Sequence, residues 1–149
     1  FLKRVTPEQL NADYDETVLY FGNIDLRFHL MRQANPKSAT RDLFNRYLEF
    51  ALKLKKPTLV SLLPVEHESR KLPGTGLYKG EKFFGTREER MELREIANNI
   101  MRDSYGVKFL EWPKEWVDQD GTKMLDVLEM KQSVHIRPKF YMYAPLFID

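Results

Sequence analysis

Cysteine is absent from the 149 residues of the chain. That excludes disulfides and thiolate chemistry and fits a reducing compartment, so a cytoplasmic location is expected. Long apolar runs are missing as well. None approaches the ~18 residues of a membrane span, and no membrane partner is expected. No apolar stretch follows the charges of Phe1-Leu2-Lys3-Arg4, as a signal peptide would require. An initiator methionine is also lacking, and a further segment upstream is expected. Strong charge of either sign is absent: Lys and Arg number 24 against 22 Asp and Glu. Such a balance carries no electrostatic footprint of a sequence-blind nucleic-acid binder. The three histidines, at 29, 67 and 135, show no close helical spacing of a zinc site. Nothing here demands a metal or a cofactor.

What is present is one domain's length, enough for a real core. The chain is organised around Thr17-Val18-Leu19-Tyr20-Phe21, an apolar run that suits a strand buried on both faces of a parallel sheet. Gly22 ends the run and permits a backbone conformation that other residues resist. Asn23, Asp25, Arg27 and His29 follow at once. In open parallel sheets ligands bind beyond the carboxyl ends of the strands, so these polar groups stand where chemistry is expected.

Along the chain, Thr6 and Pro7 read as the N-cap and first residue of a short helix. After the strand at 17–21, Ser38 is expected to cap a helix over 39–54. Its face carries Leu43, Phe44, Tyr47, Leu48, Ala51 and Leu52, and Pro57 stops it. Residues 58–63 form a second buried strand. The glycine-rich stretch 65–85 reads as a long loop; Pro73-Gly74-Thr75-Gly76-Leu77-Tyr78-Lys79-Gly80 lacks the spacing of a phosphate-binding loop. Thr86 and Glu89 make a capping box for a helix over 87–104, with Leu93, Ile96, Ala97, Ile100 and Met101 as its buried stripe. Residues 107–111 are a third strand. The strand–helix–strand–helix–strand order predicts an α/β fold with a parallel sheet and helices on both faces, in a single domain. The two long helices are expected on opposite faces or offset along the sheet.

In an extended segment Asp25, Arg27 and His29 would share one side. Arg27 could then hold an anion, or pair with Asp25 and tie down a loop. His135, in Ser133-Val134-His135-Ile136, is a candidate general base, because an imidazole titrates near neutrality. His67, Arg70 and Lys79 on the long loop are candidates on the substrate side, with solvated surface charge as the simpler account of each.

Taken in order, these blocks resemble the SGNH hydrolases, the GDSL-like esterase/lipase superfamily, and in particular members with an F-G-x-I-D-x-R block. Here that block is Phe21-Gly22-Asn23-Ile24-Asp25-Leu26-Arg27. It is followed by a strand ending at Leu62-Leu63-Pro64, by Gly85-Thr86-Arg87-Glu88-Glu89-Arg90 at a helix start, by a third strand, and by the block holding His135. The resemblance spans about residues 16–140. It implies a three-layer α/β/α, flavodoxin-like sheet and acyl transfer from a small-molecule or glycan ester to a serine. His135 would then be the base, with Gly22 and Asn23 near the oxyanion, Asp25 and Arg27 shaping the site, and His29, His67, Arg70 and Arg137 toward the substrate. Three departures stand out. No serine lies in a G-D-S block, Gln132 occupies the place of the aspartate that orients the histidine, and the family's oxyanion-binding Asn would fall on Ile24, one place after Asn23.

The resemblance also implies that the strand at 17–21 is flanked by a further one, carrying the serine. An unpaired apolar edge is otherwise an aggregation hazard, so pairing by a strand from upstream residues or another chain is expected. The alternative reading is a non-catalytic module of the same fold that binds an anionic ligand, such as a nucleotide or sugar phosphate, through Arg27, Arg70 and Arg137.

Overall fold

The computed structural model describes residues 5–63, 65 and 72–113. Helix α1 (Pro7–Asp13) starts at Thr6 with a full capping box closed by Gln9. Strand β1 (Thr17–Leu19) follows. A π-helical turn (Asp25–His29) then runs into a short 3-10 turn (Leu30–Arg32). Helix α2 (Pro36–Ala51), strand β2 (Pro57–Val60), helix α3 (Arg87–Arg102) and strand β3 (Lys108–Leu110) complete the order.

The three strands form one parallel sheet in the order β1-β2-β3. Register aligns Leu19 with Leu59 and Leu59 with Phe109, and likewise Val18 with Thr58 and Thr58 with Lys108. Successive side chains alternate faces. The first row is core: Leu19 and Leu59 are buried and Phe109 packs against them. The second row looks outward, with Val18 52% exposed and Lys108 exposed.

That asymmetry corrects one expectation and narrows another. The run at 17–21 is not buried on both sides; Tyr20 and Phe21 are exposed like Val18, and the strand itself stops at Leu19. Of the two placements expected for α2 and α3, opposite faces does not hold, since they pack on each other, and offset along the sheet remains. A sheet that steps 1-2-3 through crossovers of one hand places both helices on the same side. Among the described residues no strand pairs with the outer edge of β1.

Helix α2 begins at Pro36, three residues earlier than expected. Asn35 is the N-cap, its Oδ1 accepting the Ser38 N–H at 3.0 Å, with Pro36 at the first helical position. Thr40, Phe44, Tyr47 and Ala51 make its buried stripe, while Leu52 is exposed. Helix α3 starts as expected on the Thr86–Glu89 capping box. It buries Leu93, Ala97 and Met101 together with two polar residues, Arg90 and Asn98. Their burial is met by backbone partners: the Arg90 guanidinium donates to the Gly85 carbonyl at 2.7 Å and lies over the Phe83 ring.

Candidate functional site

The carboxyl ends of β1 and β2 are joined by side chains rather than by sheet hydrogen bonds. Beyond Val60 the main-chain groups from the Ser61 N–H to the Leu63 N–H each find a partner, mostly on side chains. The Ser61 N–H donates to the Leu110 carbonyl (2.8 Å), and the Ser61 carbonyl accepts from the Trp112 indole N–H (2.9 Å). The Leu62 N–H donates to Asn98 Oδ1 (2.9 Å) and its carbonyl accepts from Arg94 Nε (2.9 Å). The Leu63 N–H donates to Asn23 Oδ1 (3.1 Å). Buried peptide groups left unpaired would cost about 1–3 kcal/mol each, so these side chains are spent on keeping the strand end in place. Arg94 is largely buried in this role, and burial lowers its pKa, with Glu95 opposing the shift.

Gly22 sits against this floor. Its φ of +100° lies in the left-handed region, and a Cβ there would fall 2.5 Å from Phe44 Cζ and 3.2 Å from Leu62 Cδ2. A glycine is therefore required both by dihedral and by space. Its carbonyl accepts the Leu26 N–H at 2.9 Å, which starts the helical turn. Asn23, next in line, uses its carbonyl oxygen on Leu63. A backbone N–H can only donate, so this contact fixes the amide orientation and turns the Nδ2 donors the other way. Close by, the buried Tyr47 ring meets Phe21 edge-on at 6.0 Å. Burial pushes the Tyr47 phenol well above the usual tyrosine range. The neighbouring Phe21 backbone offsets this only in part, and the hydroxyl makes no hydrogen bond of full geometry.

Asp25, Arg27 and His29 do not alternate along an extended segment. They occupy a helical turn, where residues four apart meet, and the carboxylate pairs with the imidazole instead of with Arg27. Asp25 Oδ1 lies 3.2 Å from His29 Nδ1, and the Tyr78 hydroxyl lies 2.8 Å from His29 Nε2. The contacts suit a neutral ring with its proton on Nδ1: that nitrogen then donates to the carboxylate, and Nε2 accepts from the phenol. The result is a continuous carboxylate–imidazole–phenol chain, with His29 and Asp25 side chains 46% and 39% exposed. Tyr78 is held by stacking on Phe28, with centroids 4.3 Å apart and planes within 5°.

The structure thus gathers Gly22, Asn23, Asp25 and His29 on one short segment after β1. His67, Arg70, His135 and Arg137 lie outside the described residues, as do Gln132 and the expected proximity of His135 to Gly22. Tyr78 was not among the residues singled out from sequence; its only local signal is its place between Gly76 and Gly80. Of the described serines, Ser61 is buried with its Oγ accepting from the Trp112 N–H, and Ser104 Oγ donates to the Ile100 carbonyl. Ser38 lies in the first turn of α2. Ser61 stands at the end of β2 but is buried, and none of the three is an exposed strand-end nucleophile. No cluster of three His, Asp or Glu side chains fit for a metal occurs among the described residues, and no described helix is long and apolar enough to cross a membrane.

No protein-family model, curated protein or solved structure matches this chain.

Proposed function

We propose that the chain is an SGNH-like serine hydrolase domain with a three-layer α/β/α, flavodoxin-like fold, cleaving a small-molecule or glycan ester by acyl transfer. The observation that supports this reading is the orientation of Asn23: its side-chain carbonyl is tied to the Leu63 N–H at 3.1 Å, so the Nδ2 donors are not engaged in that contact. A fixed amide beside a glycine of positive φ is the kind of preorganised donor that stabilises an oxyanion. In this mechanism a serine attacks the ester carbonyl, His135 takes its proton and returns it to the leaving alcohol, and Asn23 holds the oxyanion. In this reading the serine is carried by a further strand beside β1, whose outer edge has no partner strand among the described residues. Arg27 lies on the turn that follows and contributes to the rim on the substrate side.

The test is turnover of p-nitrophenyl and acetylated-sugar esters by the full-length protein. Asn23→Ala is expected to lower kcat about a hundredfold or more, and His135→Ala to abolish turnover. Equal turnover by wild type and His135→Ala removes His135 from the mechanism. Absence of turnover on every ester, with retention of a nucleotide or sugar phosphate that depends on Arg27, transfers the assignment to an anion-binding module.

A further inference from the structure

We propose that Tyr78 is the nucleophile of a second reactive centre, in which His29 removes the phenolic proton, Asp25 orients the imidazole, and an activated carboxylic ester donates its acyl group to the phenol. The order of groups, carboxylate to Nδ1 at 3.2 Å and Nε2 to hydroxyl at 2.8 Å, is that of a base-activated nucleophile with a third residue holding the base. This centre does not rest on the hydrolase reading, since it uses neither His135 nor Asn23.

The surroundings fix the phenol and leave Tyr78 half-buried. Tyr78 stacks on the buried Phe28, and its own turn is closed by the Gly80 N–H on the Pro73 carbonyl (2.9 Å) and the Glu81 N–H on the Tyr78 carbonyl (3.0 Å). Glu81 in turn pairs with Arg32 at 2.8 Å, tying this turn to the segment that carries His29. The donor and acceptor atoms are therefore held on two elements that brace each other, while His29 stays open to solvent. Exposed pairs of this kind contribute little to stability, which leaves the alignment itself as the notable property.

The step balances as follows. The Tyr78 oxygen forms a bond to the acyl carbon and the ester's C–O bond to its leaving group breaks, that oxygen taking the electron pair. The phenolic proton passes to His29 Nε2 and from there to the leaving oxygen or water. The Nδ1 proton remains shared with Asp25, whose part is positioning.

The experiment uses the whole protein with p-nitrophenyl acetate as probe, following p-nitrophenolate release and mapping acetylated peptides by mass spectrometry. Tyr105, 99% exposed, serves as the internal reference for an unactivated tyrosine. Acetylation of Tyr78 is expected to outrun that of Tyr105 by about a hundredfold, the span general-base assistance covers. His29→Gln should bring Tyr78 down to the Tyr105 rate. Asp25→Asn should slow it and alter its pH profile, and Tyr78→Phe, which keeps the stack on Phe28, should remove the label. Tyr78 reacting no faster than Tyr105, or equally fast in His29→Gln, overturns the proposal. Labelling of Tyr78 that persists in His135→Ala supports it and separates it from the hydrolase site.

Discussion

Replacing Gly22 by alanine tests the strand-end geometry most directly. The substitution adds one methyl group at a residue with φ +100°, where an L side chain is strained. The left-handed conformation costs about 1–2 kcal/mol. The new Cβ would also stand 2.5 Å from Phe44 Cζ and 3.1 Å from Cε1, and Phe44 is packed in the core at 1% exposure. Overpacking of that kind costs about 1–3 kcal/mol. Together the two effects destabilise by about 2–5 kcal/mol, a large part of the ~5–15 kcal/mol typical of a domain. In thermal unfolding this corresponds to a fall in Tm of about 5–15 °C for a chain of this size. Gly74→Ala is the control, because nothing lies within 4 Å of its added Cβ. Repeating Gly22→Ala in a Phe44→Leu background separates the two causes: relief of the clash should appear as a coupling of about 1–3 kcal/mol. A Gly22→Ala protein within about 0.5 kcal/mol of wild type, or a cycle with no coupling, would refute the close approach of Gly22 to Phe44.

Tyr47 should make the fold sensitive to alkali. Its folded-state pKa is raised by burial, so its contribution is complete below the ordinary tyrosine pKa of about 10 and is lost as pH rises beyond it. Tyr47→Phe is expected to flatten that loss in urea titrations at high pH, and to cost nothing or stabilise by up to about 1 kcal/mol at neutrality, since the hydroxyl lacks a hydrogen bond. A cost above about 1.5 kcal/mol would mean that the hydroxyl holds the Phe21 backbone. Asn98→Ala, which strips the partner from the Leu62 N–H at a site 1% exposed, should cost about 1–3 kcal/mol by the same denaturation assay. A near-neutral result would show that water or a shifted side chain replaces it.

Local chemistry made much of this fold legible. The capping box at Thr86 and Glu89, and Thr6 before Pro7, placed two helix starts, because both signals lie within four consecutive residues. Ser38 and Asn35 are equally competent caps. Pro36, favoured at the first helical position, decided for Asn35. The parallel order of the strands followed from the lengths of their connections. Burial was harder to read. An apolar run such as 17–21 reads alike whether one face is covered or two, and only the packing of α2 on α3 shows which holds. The turn at 25–29 was misread because a polar stretch after a strand suggests an extended loop, although the four-residue spacing of Asp25 and His29 is a helical signal. The meeting of His29 with Tyr78 joins residues 49 positions apart and has no local signature at all.

Strand ends are usually where a sheet frays first, since the last peptide groups have lost their ladder partners. The end of β2 is built otherwise. Exchange of the Leu62 amide with solvent requires Asn98 on α3 to let go, and that of Leu63 requires the turn after β1 to open as well. Both acceptors sit on elements packed against the core, so these two amides are held from outside their own strand. The fluctuations of this small floor are therefore tied to those of the packed domain. Slow exchange of the Leu62 and Leu63 amides, close to that of the core, is the expected signature.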